Sequence, residues 1–104
     1  MSKTKTIREL TNILAVALRH KIGSMVNQNE IYAQRYAKDA EILLKEAQKT
    51  ALKENWNQKD KEKIKGELKN KLKAELEERE FLDSRKFSIM DGEIENVLAL
   101  FGLK

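Results

Sequence analysis

The chain has no cysteine and no proline, only four glycines, and aromatic residues make up 6% of its 104 positions. Without cysteine there is no disulfide framework, no thiolate metal site and no cysteine nucleophile, and the redox compartment stays open. Scarce aromatics mean an aliphatic, alanine-rich core with few of the Trp and Tyr anchors common at binding surfaces, so the lone Trp56 stands out. No apolar run approaches the ~20 residues of a membrane-spanning helix. The opening MSKTKTIREL carries cations without a following apolar h-region, so neither a membrane span nor a secretion signal is expected and a cytoplasmic location is the default. No segment alternates with the period of two that a strand requires.

What remains is helix. Between Lys3 and Leu82 only Gly23 and Gly66 interrupt the chain, and Ile7, Leu10, Leu14, Ala17, Leu18, Ile22 and Met25 recur at helical spacing. An all-α fold follows: one small helical bundle over residues 1–104, built on a long antiparallel helical hairpin with shorter N- and C-terminal helices. The expected helices cover 5–21, 28–54, 58–82 and 89–101. Thr4 or Thr6 can cap the first, and Lys21 with Gly23 reads as its end. Asn27 followed by Glu30 has capping-box spacing for a restart. The apolar stripe keeps its phase across Gly23, so a single continuous helix is the rival reading, and Asn29 then becomes a polar residue in the seam. ENWNQKD (54–60) is the hairpin turn, with Asn57 or Asp60 as the next cap. Ile64, Leu68, Leu72 and Leu76 form a stripe one residue wide on the third helix, and Ser88 or Asp91 can cap a last helix that ends at Gly102.

Two patterns point to partners. Ala33, Ala37, Ala40, Leu44, Ala47 and Ala51 follow a spacing of four and three residues, a mostly alanine seam that lets another helix pack closely. From Lys59 to Lys73 seven lysines face three acids, whereas Glu75, Glu77, Glu78 and Glu80 are opposed by Arg79 alone. That polarity runs against the helix macrodipole. Antiparallel pairing of this helix with its copy would set each lysine-rich half against a glutamate-rich half, and a solvated face with an accidental bias explains it as well. Lys61, Lys65, Lys69 and Lys73 form a row that could track a phosphate backbone, although no aromatic residue interleaves them.

Catalytic constellations are missing. His20 is the single histidine, HExxH is absent, and Ala17 stands where a Glu-x-x-His di-iron motif needs its glutamate. Asp91, Glu93 and Glu95 imitate the start of a calcium loop, but Asn96 replaces its glycine and Gly102 its last glutamate. Leu18-Arg19-His20-Lys21-Ile22 resembles, over five residues, the phospho-accepting histidine segment of sensor-kinase dimerisation domains, with Gly23 and Ser24 where those often carry asparagine or proline. That resemblance implies histidine phosphotransfer; the ordinary alternative is a histidine complementing a helix C-terminus. The residues together point to a non-enzymatic protein-interaction or assembly subunit that self-associates as a homodimer or binds another helical protein. It needs no cofactor or metal, and a nucleic-acid accessory role through the lysine row is the alternative.

Overall fold

A computed structural model describes residues 3–26, 29–79 and 85–104. Within them the chain forms four helices and no strand: α1 (Lys3–Val26), α2 (Glu30–Ala51), α3 (Gln58–Glu77) and α4 (Arg85–Leu100). The all-α expectation holds, and the boundaries move for local reasons. Rather than ending at Lys21 as a short element, α1 runs through Gly23 to Val26 and is the longest helix. Gly23 is buried against the ring of Tyr36, so its missing side chain serves a close approach rather than a stop. Asn27 lies outside the described residues; the cap of α2 is Asn29, whose side chain accepts from the Ile31 and Tyr32 amides. Asn29 is therefore a cap and not a seam residue.

At the next start Asn57 and Asp60 act together. The Asn57 side chain takes the Asp60 amide at 2.8 Å and the Asp60 carboxylate returns to the Asn57 amide at 3.1 Å, a reciprocal capping box. Lys3 reaches the same carboxylate at 2.8 Å. Those two bonds hold the Asp60 carboxyl below its usual range, the one to Lys3 contributing most. In α4, Ser88 and Asp91 lie inside the helix instead of capping it, and Ser88 bonds back to Arg85 O. Its far end closes as expected: Gly102 has φ 70°, and the Leu103 amide bonds Leu98 O at 2.8 Å while its side chain is buried.

Helix α1 is the hub. It packs against α2, α3 and α4, and α3 also packs against α4, whereas no Cα of α2 lies within 8 Å of α3 or α4. The expected hairpin of the second helix against the third is therefore not formed. Gly23 meets Tyr36, His20 meets Asp39 and Thr6 meets Glu54, so α2 descends along a rising α1. Lys3 to Asp60, Thr11 to Glu67 and Arg19 to Glu75 run in the same direction on both chains, making α3 parallel to α1. Lys65 to Glu95 and Lys69 to Asp91 make α4 antiparallel to α3.

The core explains this order. Ile64, Leu68, Leu72 and Leu76 are all fully buried, and they join Ile7, Leu10, Leu14, Leu18 and Ile22 of α1 with Met90, Ile94, Val97 and Leu98 of α4 in one cluster. Each such side chain contributes about 1.5–3 kcal/mol on burial. One polar joint sits at its edge: buried Thr11 donates to Ile7 O at 2.8 Å and accepts from Lys71 Nζ at 2.6 Å, satisfying its hydroxyl on both sides.

Candidate interaction surface on the second helix

The uncovered element is α2. Of its alanines Ala40, Ala47 and Ala51 are buried, Ala33 is half-buried and Ala37 is exposed. The seam faces α1 rather than the third helix, because α1 carries the matching small residue Gly23 and a second buried face with Ala15 and Val26. An alanine methyl brings little apolar area to the core, about 0.8 kcal/mol on the per-carbon scale. The large apolar residues of α2 stay outside: Ile31, Tyr32 and Ile42 are exposed, and Leu43 and Leu44 are only partly covered.

Because α2 and α4 both lean on α1 with no Cα of one within 8 Å of the other, a groove opens between them. Leu18 forms its floor, Leu44 one wall, Val97 and Leu100 the other, with Lys21 and Asn96 at the rim, enclosing about 250 Å³. Leu100 also borders a second depression of about 310 Å³ under Trp56, whose other wall holds Gln48, Ala51 and Leu52. Leu100 is 74% and Leu52 80% exposed, so both project where this apolar surface ends. The Trp56 indole N–H donates to Ala51 O at 2.9 Å and fixes the turn that closes that end.

The cation at the groove rim, Lys21, is matched, and further ion pairs join α3 to α4. Buried Glu93 lies 2.6 Å from Lys21, while Lys65 meets Glu95 at 2.6 Å and Lys69 meets Asp91 at 3.6 Å. The three acids that imitate a calcium loop thus go to separate lysines, Glu95 taking Lys104 as well, and among the described residues no group of three or more His, Cys, Asp or Glu could hold a metal ion. Lys65, bonded and close to Glu95, is raised above its usual range, and Glu95 is lowered by the same partner. Two members of the lysine row are spent on α4, and Lys61 and Lys73 have no ion-pair partner among the described residues. At the acidic end, Glu75 lies 3.9 Å from Arg19, Glu77 and Glu78 are exposed, and Glu80 lies outside the described residues. Burial, with Arg79 nearby, lowers the Arg19 guanidinium from its usual range. The polarity of α3 therefore has intrachain partners: acids of α4 beside its lysine half and Arg19 of α1 beside its glutamate half.

The chain matches no protein-family model, no curated protein and no solved structure.

His20 is partly buried with its ring edge on Tyr36 at 5.7 Å. Its Nδ1 lies 2.8 Å from Val16 O, and since a carbonyl only accepts, Nδ1 carries the proton. Nε2 is left for any phosphoryl transfer, and the Asp39 carboxylate stands 3.9 Å from it, a like-charged neighbour for an incoming phosphate. Among the described residues no helix is long and apolar enough to cross a membrane. Leu44 belongs to the seam spacing, whereas sequence reasoning missed Leu100 of the groove and Leu52 of the depression beside it. Their signal was that Leu52 and Leu100 belong to neither the alanine seam nor the core stripe of α4.

Proposed function

We propose that the chain is a non-enzymatic helical interaction subunit, one domain over residues 1–104, that self-associates through the groove between α2 and α4. The observation that carries this reading is the thin covering of α2: among the described residues only α1 brings a helix Cα within 8 Å of it, its buried residues are small, and it lies beside an open apolar groove. Ordering a residue costs about 1–2 kcal/mol of backbone entropy, which three buried alanine methyls offset poorly. A second copy covering α2 supplies the missing burial.

Charge permits a copy of this chain at that place. The chain carries a net charge of +4, so two copies repel except where cations are matched. The groove rim offers neutral Asn96 and Lys21 paired with Glu93, and the adjoining depression adds neutral Gln48 with Lys61 and Glu54. A two-fold axis beside Leu100 would set each copy's leucine into the other's groove, an isologous contact. Pairing through α3, suggested by its polarity, has less charge left to use, because Lys65, Lys69 and Glu75 are engaged within the chain.

Light scattering after size exclusion tests this reading. Wild-type protein is expected at dimer mass at high micromolar concentration. Leu100→Glu, a change at an exposed position that leaves the core untouched, is expected at monomer mass with unchanged helicity. A wild-type monomer, or a Leu100→Glu dimer, overturns it.

A further inference from the structure

A second feature of α2 lies on the face opposite its alanines. At about 100° of rotation per residue, Arg35, Lys38, Lys45 and Lys49, the four basic residues of the helix, fall opposite Ala40 and Ala47. Ile31, Ile42 and Leu52 fall on the same face and are 70%, 56% and 80% exposed. The order along the seam is apolar, two cations, apolar, two cations, apolar, with the apolar residues about three turns apart. Successive members are separated by four and three residues, the spacing that a second helix lying alongside can follow. Among the described residues Arg35, Lys38 and Lys49 have no ion-pair partner, and Lys45 has only Glu41 at 3.9 Å.

Acids bound the seam: Glu30 and Glu41 on one flank, Asp39 and Glu46 on the other. A broad polyanion such as a nucleic-acid duplex would press phosphates against those carboxylates. A narrow acidic ridge would meet only the cations. Three exposed aliphatic side chains spaced along the seam add apolar anchors that a phosphate backbone cannot use. Cations at helix-pairing spacing, apolar anchors between them and acidic borders together select one kind of partner by charge complementarity.

We infer that the outward seam of α2 docks an acidic amphipathic helix of another protein, with carboxylates opposite the two cation pairs and aliphatic residues opposite Ile31, Ile42 and Leu52. This contact lies on the side of α2 away from α1 and does not depend on self-association through the groove.

The probe is a dye-labelled synthetic helix carrying leucine every third turn and glutamate pairs between, with a control peptide in which lysine replaces every glutamate. Binding is read by fluorescence anisotropy on the full chain. Wild-type protein is expected to bind the acidic peptide, more weakly as salt rises, and to leave the basic one free. The quadruple variant Arg35→Glu, Lys38→Glu, Lys45→Glu and Lys49→Glu changes only exposed positions. It is expected to lose the acidic peptide at least tenfold and to gain the basic peptide, while its mass matches wild type. Ile42→Asp is expected to weaken acidic-peptide binding at least several-fold. No binding of the acidic peptide overturns the inference, as does equal binding by the reversed variant. Equal affinity of wild type for polyglutamate, a DNA duplex or an anionic vesicle overturns it too, since each lacks the matched helical ridge.

Discussion

Replacing Ala47 by leucine is expected to destabilise the protein by about 1–3 kcal/mol, the usual result of forcing extra carbons into a filled contact. Ala47 has no exposed surface and sits in the cluster between α2 and α1. Leucine adds three carbons, which in a roomy site would gain about 0.8 kcal/mol each. Here they must push α2 away from α1 or leave their preferred rotamers, and the loss outweighs the gain. Ala37 lies on the same helix but is exposed, so Ala37→Leu is expected to change stability by no more than about 0.5 kcal/mol. With a urea slope of about 1–3 kcal/mol per molar, the Ala47 variant should move the unfolding midpoint down by roughly 1 M while the Ala37 variant stays in place. Urea titrations followed by helicity, with the slope checked to be constant, read both. An Ala47→Leu midpoint equal to or above wild type would refute the close approach of these two helices.

Leu72→Ala, fully buried on α3, is expected to cost about 2–5 kcal/mol by lost transfer energy and a residual cavity, measured in the same titration. Gly66 has no atom within 4 Å of where a side chain would begin, so Gly66→Ala should stabilise by about 0.4–1 kcal/mol through helix propensity and a less flexible unfolded chain; a lower midpoint contradicts this. The Lys65 and Glu95 pair makes stability depend on pH in a defined direction. The folded carboxyl of Glu95 lies below its unfolded value, so the unfolded chain binds the proton first. Its contribution is whole above the ordinary glutamate value of about 4.3 and is lost as pH falls through the folded one. Lys65 is raised, so its contribution is whole below the ordinary lysine value and is lost as pH rises through the folded one. The thermal midpoint of Glu95→Gln should therefore lie below wild type near neutrality and converge with it in acid; a gap that persists in acid contradicts the pairing.

Much of the fold was legible because helical periodicity reports which face of an element is buried. The stripe Ile64, Leu68, Leu72, Leu76 is buried at every position, and the α4 face of Met90, Ile94, Val97 and Leu98 likewise. Periodicity does not report what a face is buried against. The alanine spacing predicts a close helix partner without saying which helix, and that partner is α1, which buries more than one face. That signal was present in TNILAVALRHKI, where Ala15 lies off the main stripe and is nonetheless buried. The charge polarity of α3 was equally visible, yet its intrachain partners on α4 and α1 depend on helix order, which no local pattern encodes. The groove was hidden for the same reason: it lies where the backbones of α2 and α4 stay apart across α1.

Amide hydrogen exchange at low and high protein concentration tests most directly whether α2 is the element completed by association. If a second copy covers the groove, amides of α2 and of the Val97 to Leu100 turn should exchange markedly more slowly at high concentration, while α3 stays unchanged. Equal exchange of α2 at both concentrations, or protection gained in α3 instead, would contradict self-association through this helix.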